Sequence, residues 1–197
     1  MSIFRRLNHS EVVIAILTSF DIFSTALSPH TFFRLTGLKK VHFSKDKKYG
    51  DNLAEPLAPL IKSIVDSNKY THLFAGHTAV GRDIFPRVSA LLDSSQISDI
   101  IGVDSEDTFQ RPIYAGNALL TIKSNDKIKV ITVRGTAFDK AAEDGGNAEK
   151  SEVKAVDGEC NTTFVEEKIS ESSRPDLATA PRVVSGGRAL KSGEVCT

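Results

Sequence analysis

The residues best suited to chemistry lie near the end of the chain, in the stretch "RVVSGGRALKSGEVCT" at residues 182–197. A short apolar run leads there into Gly186 and Gly187, and Arg188 follows directly. Glycines allow a backbone to approach a diphosphate closely, and a planar guanidinium can bind two phosphate oxygens at once. The order of apolar run, glycine pair and arginine therefore predicts a phosphate-binding turn.

Residues elsewhere lack the spacing of a catalytic or metal motif. The five histidines are scattered outside any HExxH or GxSxG context, and Cys160 and Cys196 lack the CxxC or Cys/His spacing that holds zinc. The stretch "AGHTAVGRD" could present backbone amides to an anion, but its glycines match neither GxGxxG nor the Walker motif. Its histidine, His77, could face a cleft at the end of a strand or lie in a surface loop. We therefore expect neither a catalytic site nor a metal site.

Charge and hydropathy argue against two classes of partner. Lysine plus arginine equals aspartate plus glutamate at 25 each, so no long-range field favours nucleic acid. The most apolar stretch, residues 12–27, is interrupted by Asp21 and is short for a bilayer crossing. We expect neither nucleic-acid binding nor membrane insertion. The leader "MSIFRRLNHSE" is only a weak targeting signal.

The elements that position these residues follow an α/β pattern. Apolar residues recur at three- and four-residue spacing over 53–68 and 81–93, which predicts two helices, and a buried strand is predicted between them at 71–76. Short β-branched runs fill residues 97–135, and the last two, separated by "SNDK", are expected to form a hairpin. The fold class is thus α/β, a three-layer sandwich with a mixed, mainly parallel sheet.

The remaining segments are predicted from composition. Residues 139–159 are rich in charge and glycine and are expected to be an exposed linker. A strand is expected at the sheet edge within residues 161–177, and "APRVV" is expected to begin another strand.

Several of these runs resemble the α subunit of the electron transfer flavoproteins. The similarity rests on "FPRVSALLD", "ISDII", "TFQRPIYAGNALLTIKSNDKIKVITVRGTAFD" and "VVSGGRALKSGE", in this order, and it extends over residues 41–194. The resemblance implies an amino-terminal α/β domain at 41–170 and, from 171 to 197, a linker and the start of a second α/β domain that holds FAD. It also implies that Arg188, with Gly186 and Gly187, approaches the diphosphate of the flavin cofactor.

The resemblance further implies an electron carrier rather than an enzyme. Members of this family pair with a β subunit in the mitochondrial matrix. The heterodimer accepts electrons from acyl-CoA and related dehydrogenases and passes them to a membrane quinone oxidoreductase, in fatty-acid and amino-acid oxidation.

The sequence departs from the family pattern at both ends, and this affects the expected affinity for FAD. Residues 1–40 do not look like the family's first strands and helix, and the family continues well beyond Glu194. We expect a shortened chain whose own affinity for FAD is weak, because one strand and one arginine cannot enclose an isoalloxazine ring. The alternative functions are a cofactor-free module that binds the β subunit, or an adenine-nucleotide enzyme on a related sheet.

Overall fold

The structure is a computed structural model that describes residues 39–139, 145–158, 160–166, 182–187 and 189. The chain divides into two compact units, Met1–Phe164 and Val165–Thr197. The expected leader, including the apolar stretch at 12–27, lies outside the described residues apart from its last two positions. The domain boundaries proposed from the sequence remain a prediction.

The first unit alternates strands with two helices before a run of strands. Its described α-helices and strands are, in chain order, β1 (Lys40–Phe43), α1 (Ala54–Asn68), β2 (His72–Gly76), α2 (Ala79–Leu91), β3 (Gln96–Ile100), β4 (Gly102–Val103), β5 (Thr108–Ile113), β6 (Ala118–Lys123), β7 (Lys129–Val133) and β8 (Glu149–Glu152). Both predicted helices and the strand between them are confirmed to within two residues at each end. No helix among the described residues is long and apolar enough to cross a membrane.

The two helices form where their apolar stripes and end signals require. Of the six apolar residues predicted to form the α1 stripe, all but Leu53 are buried, and Leu53 is the half-buried residue that precedes the helix. The buried ones are Leu57, Leu60, Ile61, Ile64 and Val65. The helix ends at Lys69, whose left-handed backbone directs its amide to the carbonyl of Val65. Helix α2 begins at Thr78, whose hydroxyl accepts the amide of Gly81 as an N-cap.

The central strands are parallel, in the order β2-β7-β3. The two neighbours of β7 both run in its own direction, and its residues Val130, Ile131 and Thr132 are fully buried. Val130 packs with the helices, whereas Ile131 packs with Phe109 on the other face. Strand β7 is therefore the covered centre of the parallel sheet.

Antiparallel strands join this core through the consecutive strands β3 and β4. The amide of Ile101, between them, donates to the carbonyl of Gln110 on β5 at 2.8 Å, and β4 then pairs with β5 antiparallel. Strand β6 pairs with β5 from Ala118 to Lys123. The described chain is thus mixed α/β with a parallel sheet, as the expected α/β sandwich requires.

Two local predictions are wrong. Strand β6 and strand β7 do not form a hairpin, because β6 pairs with β5 and β7 pairs in parallel with β2 and β3. The segment at 139–159 is not simply a linker, because Glu149–Glu152 pairs with β1 in parallel register. Backbone hydrogen bonds form this pair, so the charged side chains that suggested a linker can stay largely exposed.

Candidate functional site

The predicted phosphate turn lies in the second unit. Residues 182–187 have no regular secondary structure and are exposed, so the strand predicted from "APRVV" is absent at residues 182–184. Gly186 and Gly187 both lie in this stretch, and no atom lies within 4 Å of the Cβ position at Gly187. Arg188 lies outside the described residues.

This stretch lies open to solvent. An empty Cβ position beyond the adjacent residues is ordinary for an exposed segment, so it does not distinguish a phosphate site at Gly187. Enclosure of a flavin ring needs apolar walls, and the described residues 182–187 and 189 are all exposed. The phosphate contact of Gly186, Gly187 and Arg188 therefore remains a prediction.

The second candidate, the glycine-bearing stretch after β2, uses most of its described amides internally. The amide of His77 donates to the carbonyl of Val133 at 2.8 Å, and the amides of Gly81 and Arg82 both donate to Thr78. A Cβ on Gly81 would lie 2.1 Å from the carbonyl oxygen of Gly76. Gly81 thus permits close packing of α2 on β2, and these amides do not form an open anion cradle.

The carboxyl ends of the parallel strands bring together side chains that the sequence did not associate. The buried hydroxyl of Thr132 lies 3.0 Å from Nδ1 of His77 and accepts the amide of Asp99 at 3.0 Å. The same hydroxyl thus joins the His77 ring to the backbone of β3. His77 is therefore held against the sheet through a structural contact.

An ion pair completes this edge. The guanidinium of Arg134 donates to both carboxylate oxygens of Asp99, with Nε to Oδ1 at 3.1 Å and Nη2 to Oδ2. The hydrogen bond from Arg134 is the main reason that the pKa of Asp99 is lowered. Asp99 also has a left-handed backbone, with φ of 59°. Since each of these two charges has its partner, the pair of Asp99 and Arg134 stabilises this edge of the sheet.

An exposed apolar hairpin is the feature that motif reasoning missed. Strands β5 and β6 are joined by a tight turn in which Tyr114, Ala115 and Gly116 all have positive φ. Tyr114 is 78% exposed at this turn, and Leu119 and Leu120 are 66% and 39% exposed on β6. The signal was present as "YAGNALLTI", a glycine turn followed by five uncharged residues.

Comparison with known proteins gives the family. The model of the electron transfer flavoprotein domain matches residues 31–158, well over half of the chain. The chain belongs to the electron transfer flavoprotein family. Among the described residues of this flavoprotein chain there is no group of three or more His, Cys, Asp or Glu side chains that could hold a metal ion.

Curated relatives carry the name of one subunit. A probable electron transfer flavoprotein subunit alpha, mitochondrial, from Cryptococcus neoformans var. neoformans serotype D is 56% identical over 160 residues, covering 80% of this chain and 46% of that protein. The subunit alpha of Pseudomonas aeruginosa is 44% identical over 161 residues, with 82% and 52% coverage. A probable mitochondrial subunit alpha from Caenorhabditis elegans is also 44% identical, with 82% and 48% coverage. This flavoprotein chain spans about half the length of these relatives.

Proposed function

We propose that the chain acts as the α component of a heterodimeric electron transfer flavoprotein in the mitochondrial matrix. It pairs with a β subunit, and the heterodimer carries electrons from acyl-CoA and related dehydrogenases to a membrane quinone oxidoreductase in fatty-acid and amino-acid oxidation. Membership of the family and the names of the relatives, two of them mitochondrial, support this role. The subunit itself breaks no substrate bond in this proposal.

The exposed hairpin is the structural observation that supports a protein partner. Strand β6 has only β5 as a neighbour among the described strands, so its other edge offers unpaired backbone groups. Leu119 and Leu120 are adjacent and therefore point to opposite faces of the hairpin, yet both are exposed. An exposed edge strand that carries no charge before its last residue, Lys123, favours association with another chain. We assign this hairpin, residues 108–123, to the contact with the β subunit.

The cofactor assignment concerns the second unit. We propose that Gly186 and Gly187 let the backbone approach the diphosphate of FAD and that Arg188 binds its oxygens. Bound FAD would supply the reversible one-electron chemistry of the carrier. The chain's own contribution is to orient the diphosphate and to neutralise part of its charge.

A cofactor-free interaction module is the second candidate function. The first unit has its own core and an exposed apolar edge, which suffices for binding a partner. The described residues of the second unit are exposed, so they favour a weak hold on the flavin ring. In this case the chain would bind the β subunit without forming a flavin-containing electron carrier.

Co-expression with a matching β subunit distinguishes these functions. The complex is separated by size-exclusion chromatography and its peak is scanned for flavin absorbance. Co-elution with flavin supports the carrier, co-elution without flavin supports the module, and elution of the two chains apart refutes both.

A pair of variants tests the hairpin in the same experiment. Leu119→Lys places a charge on the proposed contact and is expected to abolish co-elution, because an unpaired charge is costly in an interface. Leu91→Lys is the matched control, since Leu91 is also a partly exposed leucine (42%) but belongs to α2 and not to the hairpin. Co-elution of the Leu119→Lys chain at the wild-type level would place the β subunit elsewhere.

A further inference from the structure

The chain that follows β8 returns across the amino end of α1 by a series of polar contacts. The amide of Val153 donates to the carbonyl of Phe43 at 2.8 Å, and the amide of Val156 donates to the hydroxyl of Tyr49 at 3.1 Å. Residues 160–164 then pass beside the first turn of α1 without regular secondary structure. This returning segment is the last part of the first unit.

One carboxylate receives three hydrogen bonds from this segment. Oε2 of Glu55 accepts the amides of Asn161 and Thr162 at 2.7 and 2.9 Å, and it accepts the hydroxyl of Thr162 at 2.8 Å. The other oxygen, Oε1, lies 3.5 Å from Nη2 of Arg87 on α2. The side chain of Glu55 is only 15% exposed. Glu55 therefore connects the two helices to the returning segment.

Little packing supports the segment at residues 160–164, because all five residues are exposed. An open surface pocket of about 270 Å³ lies beside it, and its lining mixes apolar residues such as Leu53 and Phe164 with polar ones such as Asp51 and Thr163. The three hydrogen bonds to a charged acceptor are thus the main attachment at residues 161–162.

The ionised state of Glu55 is secure under physiological conditions. The hydroxyl and then the amide of Thr162, followed by the amide of Asn161, lower the pKa of Glu55 to about 2. A carboxylate that stays charged at every physiological pH provides a constant attachment. The contact is consequently not a pH switch.

We infer that Glu55 is a clasp that attaches residues 160–162 to the first turn of α1 and so determines where the chain leaves the first unit. When the clasp opens, the nearest upstream attachment is the contact between Val156 and Tyr49. The eight residues at 157–164 would then be released from α1, and they can extend to about 27 Å. This inference does not depend on the proposed electron-transfer function.

Hydrogen exchange on the full-length chain tests the clasp. Glu55→Gln keeps an acceptor oxygen but removes the charge, so the amides of Asn161 and Thr162 are expected to exchange about tenfold faster or more, while those of β7 are unchanged. Asp66→Asn is the matched control, because it removes another carboxylate of α1, paired only with Lys62 on the surface. The control is expected to leave residues 161–162 protected.

A second variant keeps the test decisive if Glu55→Gln unfolds the chain. Thr162→Val removes one of the three hydrogen bonds and leaves Glu55 in place, and it is expected to accelerate exchange at Thr162 severalfold. Unchanged exchange at residues 161–162 in both variants would overturn the inference. So would equal acceleration in the Asp66→Asn control.

Discussion

Replacement of Gly81 by alanine sets two physical effects against each other. Gly81 lies inside α2, where alanine is favoured over glycine by roughly 1 kcal/mol from helix propensity alone. Its Cβ would, however, lie 2.1 Å from the carbonyl oxygen of Gly76, whereas real Cβ atoms essentially never come closer than 3.0 Å. The helix and β2 must therefore separate by about 1 Å in a close-packed region.

The cost of that separation should exceed the gain in propensity. Forcing an extra methyl into a packed region costs about 1–3 kcal/mol, and a backbone oxygen cannot rotate away as a flexible side chain can. With a mid-range cost of about 2 kcal/mol and a gain of about 1 kcal/mol, we expect Gly81→Ala to lower the free energy of unfolding by about 1 kcal/mol. Because only packing changes, the dependence of this free energy on urea should keep its wild-type slope.

Urea unfolding followed by circular dichroism measures the change, with Gly135→Ala as the control. No atom lies within 4 Å of the Cβ position at Gly135, so the control should stay within about 0.5 kcal/mol of wild type. If Gly81→Ala is as stable as wild type or more stable, the gain in helix propensity outweighs the steric contact with the carbonyl oxygen of Gly76. The close approach of α2 to β2 would then not be a constraint.

Two further predictions concern pH and the cofactor. Burial is the main reason that the pKa of His72 is lowered in the folded protein. The neutral imidazole therefore stabilises the fold fully above the unfolded-state pKa of about 6.5, and this stabilisation is lost as the pH falls through the lower folded-state pKa. His72→Gln should therefore make the free energy of unfolding less dependent on pH below about 6.5, and an unchanged slope in urea titrations would contradict this. In the co-expressed complex, Arg188→Ala should reduce the flavin absorbance of the heterodimer peak without changing its elution, because one diphosphate contact is lost. Full retention of flavin would exclude Arg188 as that contact.

The helices were predictable because local periodicity determines them, whereas the strand order depends on distant partners. The apolar stripe of α1 is complete within its own sequence, and its inner residues are buried as predicted. Strand β7 follows β6 after a short turn, which favours a hairpin locally. Its run of Val130, Ile131 and Thr132, buried on both faces, is instead typical of a central parallel strand. Both signals were in the sequence, and the short turn indicated the wrong strand pairing.

Site residues could be predicted from the sequence only where the residue type itself suggests a role. Arg188 is suggested by its type and by the preceding glycines, and its role stays a prediction. The role of Gly81 is different, because the need for glycine arises from the distance to Gly76, which no sequence motif encodes. Glu55 likewise meets Asn161 and Thr162 only after the chain has returned from β8. Contacts across such separations appear only once the fold is known.

The central position of β7 also constrains how the domain can assemble during synthesis. Strand β2 emerges from the ribosome long before its partner, since His72 pairs with Lys129. The helices can pair early through local contacts, but the parallel sheet has no centre until β7 inserts between β2 and β3. The pairing of Lys40 with Glu149 forms later still, and it closes a loop of about a hundred residues. A nascent chain of this protein thus exposes the apolar edges of β2 and β3 throughout this interval, when chaperone binding would be most useful.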